Sequence, residues 1–332
     1  MKSARSNRNA RRFAFTLLAG VVGACFALAG TRWLRSAQAA EREQQARSLV
    51  QTGMELAKRG EVEGAMKHWG EAAALAPHFL EPHALQARVY WSRRQFRQAA
   101  ESFEAAHRAQ PEEVELLLEL ITTLKAAGNQ SRIESLCRKA VQLAPKHPKA
   151  HAYLGIHLAH QGPQAWAEAA RELEIAHKAT PRMPIPVIEL GGLRQREQRT
   201  KDAEFLLQRA WRLLHQGPQT VAFLESGAEV ELRRAEVAYN LTSVYRQLGR
   251  EVERDQWLQK FRRCEAITDR RRKLNHELQQ NRKAVDKLLD LSELEIETEN
   301  PQEAERLIRQ ANQLAPHHPR VAELLKRFPQ WD

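Results

Sequence analysis

The sequence predicts an all-α fold in which helical hairpins stack side by side as an α-solenoid. Pro77, Pro111 and Pro145 fall 34 residues apart, which gives the chain an internal period. Small and bulky residues return at fixed distances before each proline, and no stretch alternates polar and apolar residues as a strand would. A period of this length is typical of arrays in which each hairpin buries its apolar face against its neighbours.

The second helix of each hairpin is predicted from a pattern of residue sizes. In the first repeat Ala65 and Ala72 flank Trp69, and Pro77 follows. Small residues let two helices cross closely, while the bulky residue fills the space beside them. Proline then ends the helix because it has no amide proton to donate. The same pattern returns in the second repeat at Ala99, Phe103, Ala106 and Pro111.

The first helix of each hairpin carries a small residue twelve or fourteen positions before the first small residue of the second helix. This spacing predicts a minimal side chain at the point where the two helices touch. The residues concerned are Gly53, Ala87, Gly155 and Gly191.

At these positions the chain resembles the tetratricopeptide repeat (TPR) family, whose unit is a helix–turn–helix with small residues at fixed positions and a proline near its end. The resemblance implies a right-handed superhelix of about seven repeats within residues 41–332, with a capping helix around 321–328. The predicted repeats are 46–79, 80–113, 114–147, 148–183, 184–217, 235–268 and 285–318.

Some segments depart from the pattern. Ile121 and Ile133 replace small residues in the third repeat, and Arg254 replaces an alanine in the sixth. Residues 216–234 are predicted to be a long connection between repeats five and six. Residues 260–285 contain no glycine or proline, so we expect them to extend the second helix of repeat six.

The net charge of +11 is concentrated at one end of the chain. Residues 1–40 hold seven Lys or Arg and no acid, so the other 292 residues carry 45 bases and 41 acids. A nucleic-acid partner is therefore not indicated for the array as a whole. One stretch, 260–283, is locally basic, and it offers an alternative contact with anionic lipid or nucleic acid.

Residues 1–40 also predict a membrane anchor. Five positive residues precede the uncharged run 13–30, whose eighteen residues span about 27 Å as a helix. This charge bias favours a single-pass anchor in a bacterial inner membrane with the repeats on the periplasmic side. Small residues at 27–29 and 37–39 keep a cleaved signal peptide open as the alternative, which would leave a periplasmic or secreted protein.

Catalytic and metal-binding patterns are missing from the sequence. It contains no glycine-rich phosphate loop, nucleophile elbow or zinc-type spacing of cysteine and histidine. We therefore predict a protein that is not an enzyme and has no cofactor, metal or catalytic residue.

By resemblance, the first helices line a concave groove that binds a protein or peptide. Aromatic, Arg and Asn side chains in such a groove suit an extended peptide or a helix. The candidate binding residues are Arg88, Trp91, Glu119, Thr122, Tyr153, Tyr239, Asn240 and Arg246. We expect Arg88 and Trp91 to share one helix face, with Tyr153 extending their strip.

Three functions fit this sequence. The first is a membrane-tethered TPR scaffold or adaptor for protein–protein interactions. The second is an accessory TPR subunit of an envelope assembly or c-type cytochrome maturation machine. The third is a binder of anionic lipid or nucleic acid that acts through the basic helix 260–283.

Overall fold

The computed structural model describes residues 38–215, 227–281 and 283–326, and these residues form fifteen helices joined by short turns. The chain divides into two compact units, one ending at Leu143 and the other beginning at Ala144. Within each unit, consecutive helices pack in pairs as helix–turn–helix hairpins. The expected all-α class and hairpin pairing are confirmed.

The N-terminal unit contains three hairpins. Its helices are α1 (38–58), α2 (Val62–Leu75), α3 (Leu80–Ser92), α4 (Phe96–Ala109), α5 (Val114–Ala126) and α6 (Ile133–Leu143).

The first hairpin shows why its small residues are needed. A Cβ atom added to Gly53 would lie 2.4 Å from Nε1 of Trp69, far inside van der Waals contact. The indole N–H of Trp69 donates a hydrogen bond to the carbonyl of Val50 at 3.3 Å, and Trp69 itself is 3% exposed. The predicted close crossing of the two helices is therefore present in this hairpin.

The third hairpin accommodates larger residues at the positions where the sequence departs from the pattern. Ile121 and Ile133 are both buried, as is Cys137 at the bulky position of the second helix.

The C-terminal unit contains the remaining helices. They are α7 (Pro148–Ala159), α8 (Pro163–Ala179), α9 (Pro184–Arg196), α10 (Thr200–Leu213), α11 (Gly227–Gln247), α12 (Glu251–Gln280), α13 (Val285–Glu297), α14 (Pro301–Leu314) and α15 (Pro319–Lys326).

The same close crossing recurs in two hairpins of this unit. A Cβ atom at Gly155 would lie 2.6 Å from Cγ of Leu173, and one at Gly191 would lie 2.7 Å from Cγ of Leu207. Both leucines are fully buried. Helix α15 buries Val321 and Leu324 against the preceding hairpin. The predicted capping helix, 321–328, extends beyond the described residues, and its role as a cap remains a prediction.

The sixth hairpin corrects one prediction and supports another. Residues 227–234 form the first two turns of α11, so they are not part of a long connection. Residues 219–234 contain no proline, which favours a helix, whereas the 34-residue period places the start of this repeat at residue 235. The expected extension is present as far as Gln280, where α12 ends after 30 residues, and does not reach residue 285, where α13 begins. Arg254 keeps its guanidinium near the surface, where it contacts Asp255 at 2.8 Å.

A polar layer lies between the two apolar cores of this region. One core ends at Tyr245 and Trp257, and the other begins at Leu274. Between them, the buried guanidinium of Arg271 donates through Nε to Glu295 at 2.7 Å and through Nη2 to Oγ1 of Thr298 at 2.9 Å. Arg234, also buried, contacts Glu231 at 2.6 Å. Helices α12 and α13 are thus joined by a buried ion pair, while Arg234 and Glu231 pair within α11.

Within the described ranges, no helix combines the length and the apolar character needed to cross a bilayer. The predicted anchor, 13–30, lies outside these ranges.

Candidate partner-binding surface

The predicted binding residues lie on the first helices of four hairpins, two in each unit. We use the name first-helix face for the side of these helices that carries them, taken within each unit. Arg88 and Trp91 are on α3, and Glu119 and Thr122 are on α5. In the C-terminal unit the corresponding residues are Tyr153 on α7 and Tyr239, Asn240 and Arg246 on α11. The strip expected to run from Arg88 to Tyr153 joins residues of different units, so it remains a prediction.

An ion pair connects α3 to α5 on this face. The guanidinium Nη2 of Arg88 lies 3.0 Å from Oε1 of Glu119, and Nε donates to the same oxygen at 3.3 Å. The Arg88 side chain is 60% exposed, so solvent limits the pair to about 1 kcal/mol or less. Both groups therefore remain open to exchange with a charged ligand.

Trp91 and Thr122 are less available than the ion pair. The ring of Trp91 is half-buried and meets Phe96 edge to face, with centroids 5.0 Å apart. The hydroxyl of Thr122 donates to the carbonyl of Leu118 at 2.6 Å, which occupies its proton within its own helix. A ligand could thus contact only part of the Trp91 indole. It could not accept a hydrogen bond from the Thr122 hydroxyl, because that proton is already donated to Leu118.

The residues on α11 form a second group. Tyr239 is 58% exposed, and its ring lies 5.5 Å from that of Phe261 on α12, centroid to centroid. Asn240 faces α9, since its Nδ2 lies 3.9 Å from the position a Cβ atom of Gly192 would take. Arg246 is exposed in the last turn of α11. Tyr239 is therefore the most accessible aromatic residue among the candidates.

Sequence reasoning missed an ionic link between α7, α9 and α11. Glu189 is 8% exposed, and its carboxylate lies 3.9 Å from Nη1 of Arg233 and 4.0 Å from Nε2 of His160. Burial opposes the charge on Arg233, but the carboxylates of Glu236, Glu189 and Glu229 raise its pKa above the usual value. Arg233 was missed because residues 216–234 were assigned to a connection, although the helical pattern from 227 onward could have placed it.

The basic stretch 260–283 is less free than its composition suggests. Arg271 is buried against Glu295, which corrects its inclusion in an anion-binding surface. The ammonium of Lys260 lies 3.8 Å from the ring centroid of Trp257. Arg263 and Arg270 both approach Glu297, at 3.4 and 3.9 Å.

The thiols of the described cysteines, Cys137 and Cys264, are buried. Burial raises the pKa of the Cys137 thiol to about 12, and burial together with Glu231 raises that of Cys264 to about 12. A thiolate is the reactive form, so neither residue provides a nucleophile near neutral pH. Across the described part of the chain, no three His, Cys, Asp or Glu side chains are grouped to hold a metal ion.

No family model and no curated protein matches this sequence. A solved TPR protein from Parabacteroides merdae superimposes with a TM-score of 0.51 at 9% identity, covering 85% of this chain and 98% of the other. Two further structures score lower. The pilF protein of Pseudomonas aeruginosa has a TM-score of 0.49 at 16% identity, covering 68% of this chain and 99% of its own.

The other is YrrB, described as a TPR protein with an unusual peptide-binding site, with a TM-score of 0.47 at 20% identity over 55% of this chain and 92% of its own. At such identities the similarity shows the fold alone. The fold is that of TPR proteins, as the repeat pattern predicted.

Proposed function

We propose that this chain is a scaffold or adaptor that binds a protein or peptide partner through the first-helix face. The observation that carries the proposal is the exposed Arg88–Glu119 pair beside the partly open ring of Trp91. Tryptophan, tyrosine and arginine dominate binding energy when they are removed from interfaces. A TPR fold is a general platform for such contacts and is typically without catalytic activity.

The charges on this face favour a partner segment that carries charges of both signs. Arg88 and Glu119 neutralise each other, and in the C-terminal unit the carboxylate of Glu189 lies 3.9 Å from the guanidinium of Arg233. A uniformly acidic or uniformly basic segment would meet repulsion at one member of each pair. A segment with charges of both signs can instead pair its own acid with the arginine and its own base with the glutamate, so that every charge keeps a counter-charge.

The proposal extends to location and pathway. We infer from the uncharged run 13–30 and its basic flank that the chain is tethered to a bacterial inner membrane, with its repeats in the periplasm. In that compartment the partner would be an envelope protein. An accessory role in envelope assembly or c-type cytochrome maturation is the alternative, and identification of the captured partner separates it from a general scaffold.

The test begins with capture of partners from membrane extract by the full-length chain, followed by their identification by mass spectrometry. We expect Arg88→Ala combined with Trp91→Ala to weaken binding of the identified partner at least tenfold, about 1.4 kcal/mol. Arg108→Ala combined with Phe205→Ala is the matched control. It also removes one arginine and one exposed aromatic ring, but from the second helices α4 and α10.

The competing site on α12 is tested in the same assay. Arg270, Arg272 and Lys273 are three of its exposed cations, while Arg271 is left intact because it is buried. The first-helix face would be ruled out as the binding site if the Arg88 and Trp91 variant binds fully while changing these three cations to alanine abolishes binding. The basic helix would then be the binding site.

A further inference from the structure

An open groove lies in the N-terminal unit, between the α3–α4 turn with the start of α4 and the C-terminal end of α5. Its volume is about 660 Å³, within the range of about 300–1,000 Å³ that is usual for ligand sites. Phe96, Ala126 and Ala127 give it an apolar lining, and Gln95 and Gln98 contribute amide groups.

Two unpaired cations line this groove. Arg94 and Arg97 are exposed, and neither forms an ion pair with any described residue. Elsewhere in the same unit, five arginines lie within 3.0 Å of a glutamate oxygen: Arg47, Arg88, Arg93, Arg132 and Arg138. Arg59 and Arg108 are unpaired as well, but they do not line the groove. The groove thus has two positive charges available and one acid in its lining, Glu101.

Arg94 occupies a position that favours glycine. Its φ is 59°, and the residues 34 positions before and after it, Gly60 and Gly128, have φ of 83° and 76°. A non-glycine residue in this left-handed region costs about 1–2 kcal/mol. Gln198 and Glu299 hold the same conformation in later turns, at φ of 60° and 62°, so a charged or polar residue is tolerated there. At this turn the residue is an arginine, and its side chain lines the groove.

We propose that this groove binds an acidic peptide segment of a partner protein. Two glutamate or aspartate side chains would pair with Arg94 and Arg97, and an apolar side chain between them would rest on Phe96. A guanidinium binds a carboxylate through parallel hydrogen bonds, so charge complementarity also fixes the orientation of the segment. This site is separate from the Arg88–Glu119 pair on the first-helix face.

A nucleic acid fits the same charges less well. Single-stranded nucleic acids bind by stacking bases on free aromatic faces. Phe96 is half-buried and its ring already contacts Trp91 at a centroid distance of 5.0 Å.

The test uses the full-length chain and three fluorescein-labelled hexapeptides, in which phenylalanine alternates with glutamate, glutamine or lysine. We expect fluorescence anisotropy to show binding of the glutamate peptide at least tenfold tighter than that of the other two, weakening as salt is raised. Arg94→Gly combined with Arg97→Gln should reduce this binding at least tenfold. Arg59→Gln combined with Arg108→Gln removes the same charge outside the groove and should change it less than twofold.

Arg94→Gly alone separates binding from folding. It should raise the thermal midpoint of unfolding, because glycine adopts the left-handed conformation without strain. It should also weaken binding of the glutamate peptide severalfold. Equal affinity of the groove variant and the unaltered chain for this peptide would overturn the proposal. Tighter binding of a short oligothymidylate than of the glutamate peptide would overturn it in favour of nucleic acid. Arg88→Ala alone, which leaves the contact between Trp91 and Phe96 in place, should keep the peptide affinity, so the two proposals fail independently.

Discussion

At the scale of single residues, the close packing of several hairpins depends on glycine, which has no side chain. Gly191 and Gly192 are neighbours on α9, yet they meet different surroundings. A Cβ atom at Gly191 would approach Leu207 to 2.7 Å, whereas one at Gly192 would have Asn240 at 3.9 Å as its nearest contact. One position therefore needs glycine for packing, and the other does not.

Substitution by alanine should separate these two glycines. Gly191→Ala forces α9 and α10 apart and should cost about 1–3 kcal/mol. Gly192→Ala removes backbone freedom from the unfolded chain without a clash, so it should gain about 0.5–1 kcal/mol. Urea unfolding followed by circular dichroism measures both changes. A similar shift of the midpoint in the same direction for both variants would contradict the role of the close crossing.

The sequence predicted Gly191 but not the ionic link near it. A glycine in a repeat register reports directly on helix crossing, because only a missing side chain permits the approach. The contacts of Glu189 with Arg233 and His160 join residues 29 to 44 positions apart in the chain, on α9, on α11 and directly after the end of α7. Their meeting depends on where α11 begins, and a strict 34-residue register placed that start eight residues too late.

At the scale of helices, each hairpin is stabilised mainly by its own partner helix and the next hairpin. Trp69 illustrates this, because it packs against α1 through Gly53 and Val50, and its core cluster also includes Phe79, Leu85 and Val89. Energetic coupling in such arrays is mostly between neighbours. Loss of one bulky side chain should therefore be felt locally.

Trp69→Ala should cost about 3–5 kcal/mol through lost burial and the cavity left behind. We expect amide hydrogen exchange to accelerate across 46–110 and to change much less beyond residue 200, because opening of one hairpin does not require opening of distant ones. Mass spectrometry of proteolytic fragments resolves these regions. A uniform loss of protection along the chain would be inconsistent with neighbour coupling.

The polar layer between α12 and α13 behaves differently from an apolar contact. Arg271 and Glu295 are both buried and in contact, so each depends on the other for charge compensation. Removal of one member leaves a buried charge unpaired, which typically costs about 3–5 kcal/mol. Replacement of both by apolar residues of similar size is often neutral or stabilising.

We therefore expect Glu295→Leu to destabilise the hairpin α13–α14 strongly and Arg271→Met combined with Glu295→Leu to restore most of the loss. Denaturant unfolding gives the stability, and hydrogen exchange at 285–314 shows whether this hairpin opens first. If the double variant is as unstable as the single one, the pair does not act through charge compensation.

At the scale of the whole molecule, the uneven distribution of charge is the main guide to location. The basic excess is in residues 1–40, beside the uncharged run 13–30, and both lie almost wholly outside the described ranges. The anchor and its orientation are therefore predictions from sequence. The fold of the repeats could be predicted because the same packing pattern returns every 34 residues and each repeat can be compared with the next. The uncharged run 13–30 occurs once in the sequence, so it has no second copy for such a comparison.

Reporter fusions test this topology. Alkaline phosphatase at the C-terminus should be active and a fluorescent protein at the same place dark, with both fusions sedimenting in membranes, because five positive residues before the run hold the N-terminus inside. The reverse pattern would place the repeats in the cytoplasm. A soluble product beginning near Gly30 or Ala40 would identify a cleaved signal peptide.

The buried Arg271–Glu295 pair also bears on how an array of this kind changes length during evolution. Hairpins joined by leucine and alanine can be duplicated or deleted as units, because one apolar surface fits another of similar shape. The last hairpin and its cap instead require a carboxylate to meet Arg271, and any other hairpin stacked there would leave this guanidinium buried without a counter-charge. Another hairpin can therefore take the place of α13 and α14 beside α12 only if it carries a carboxylate at the position of Glu295.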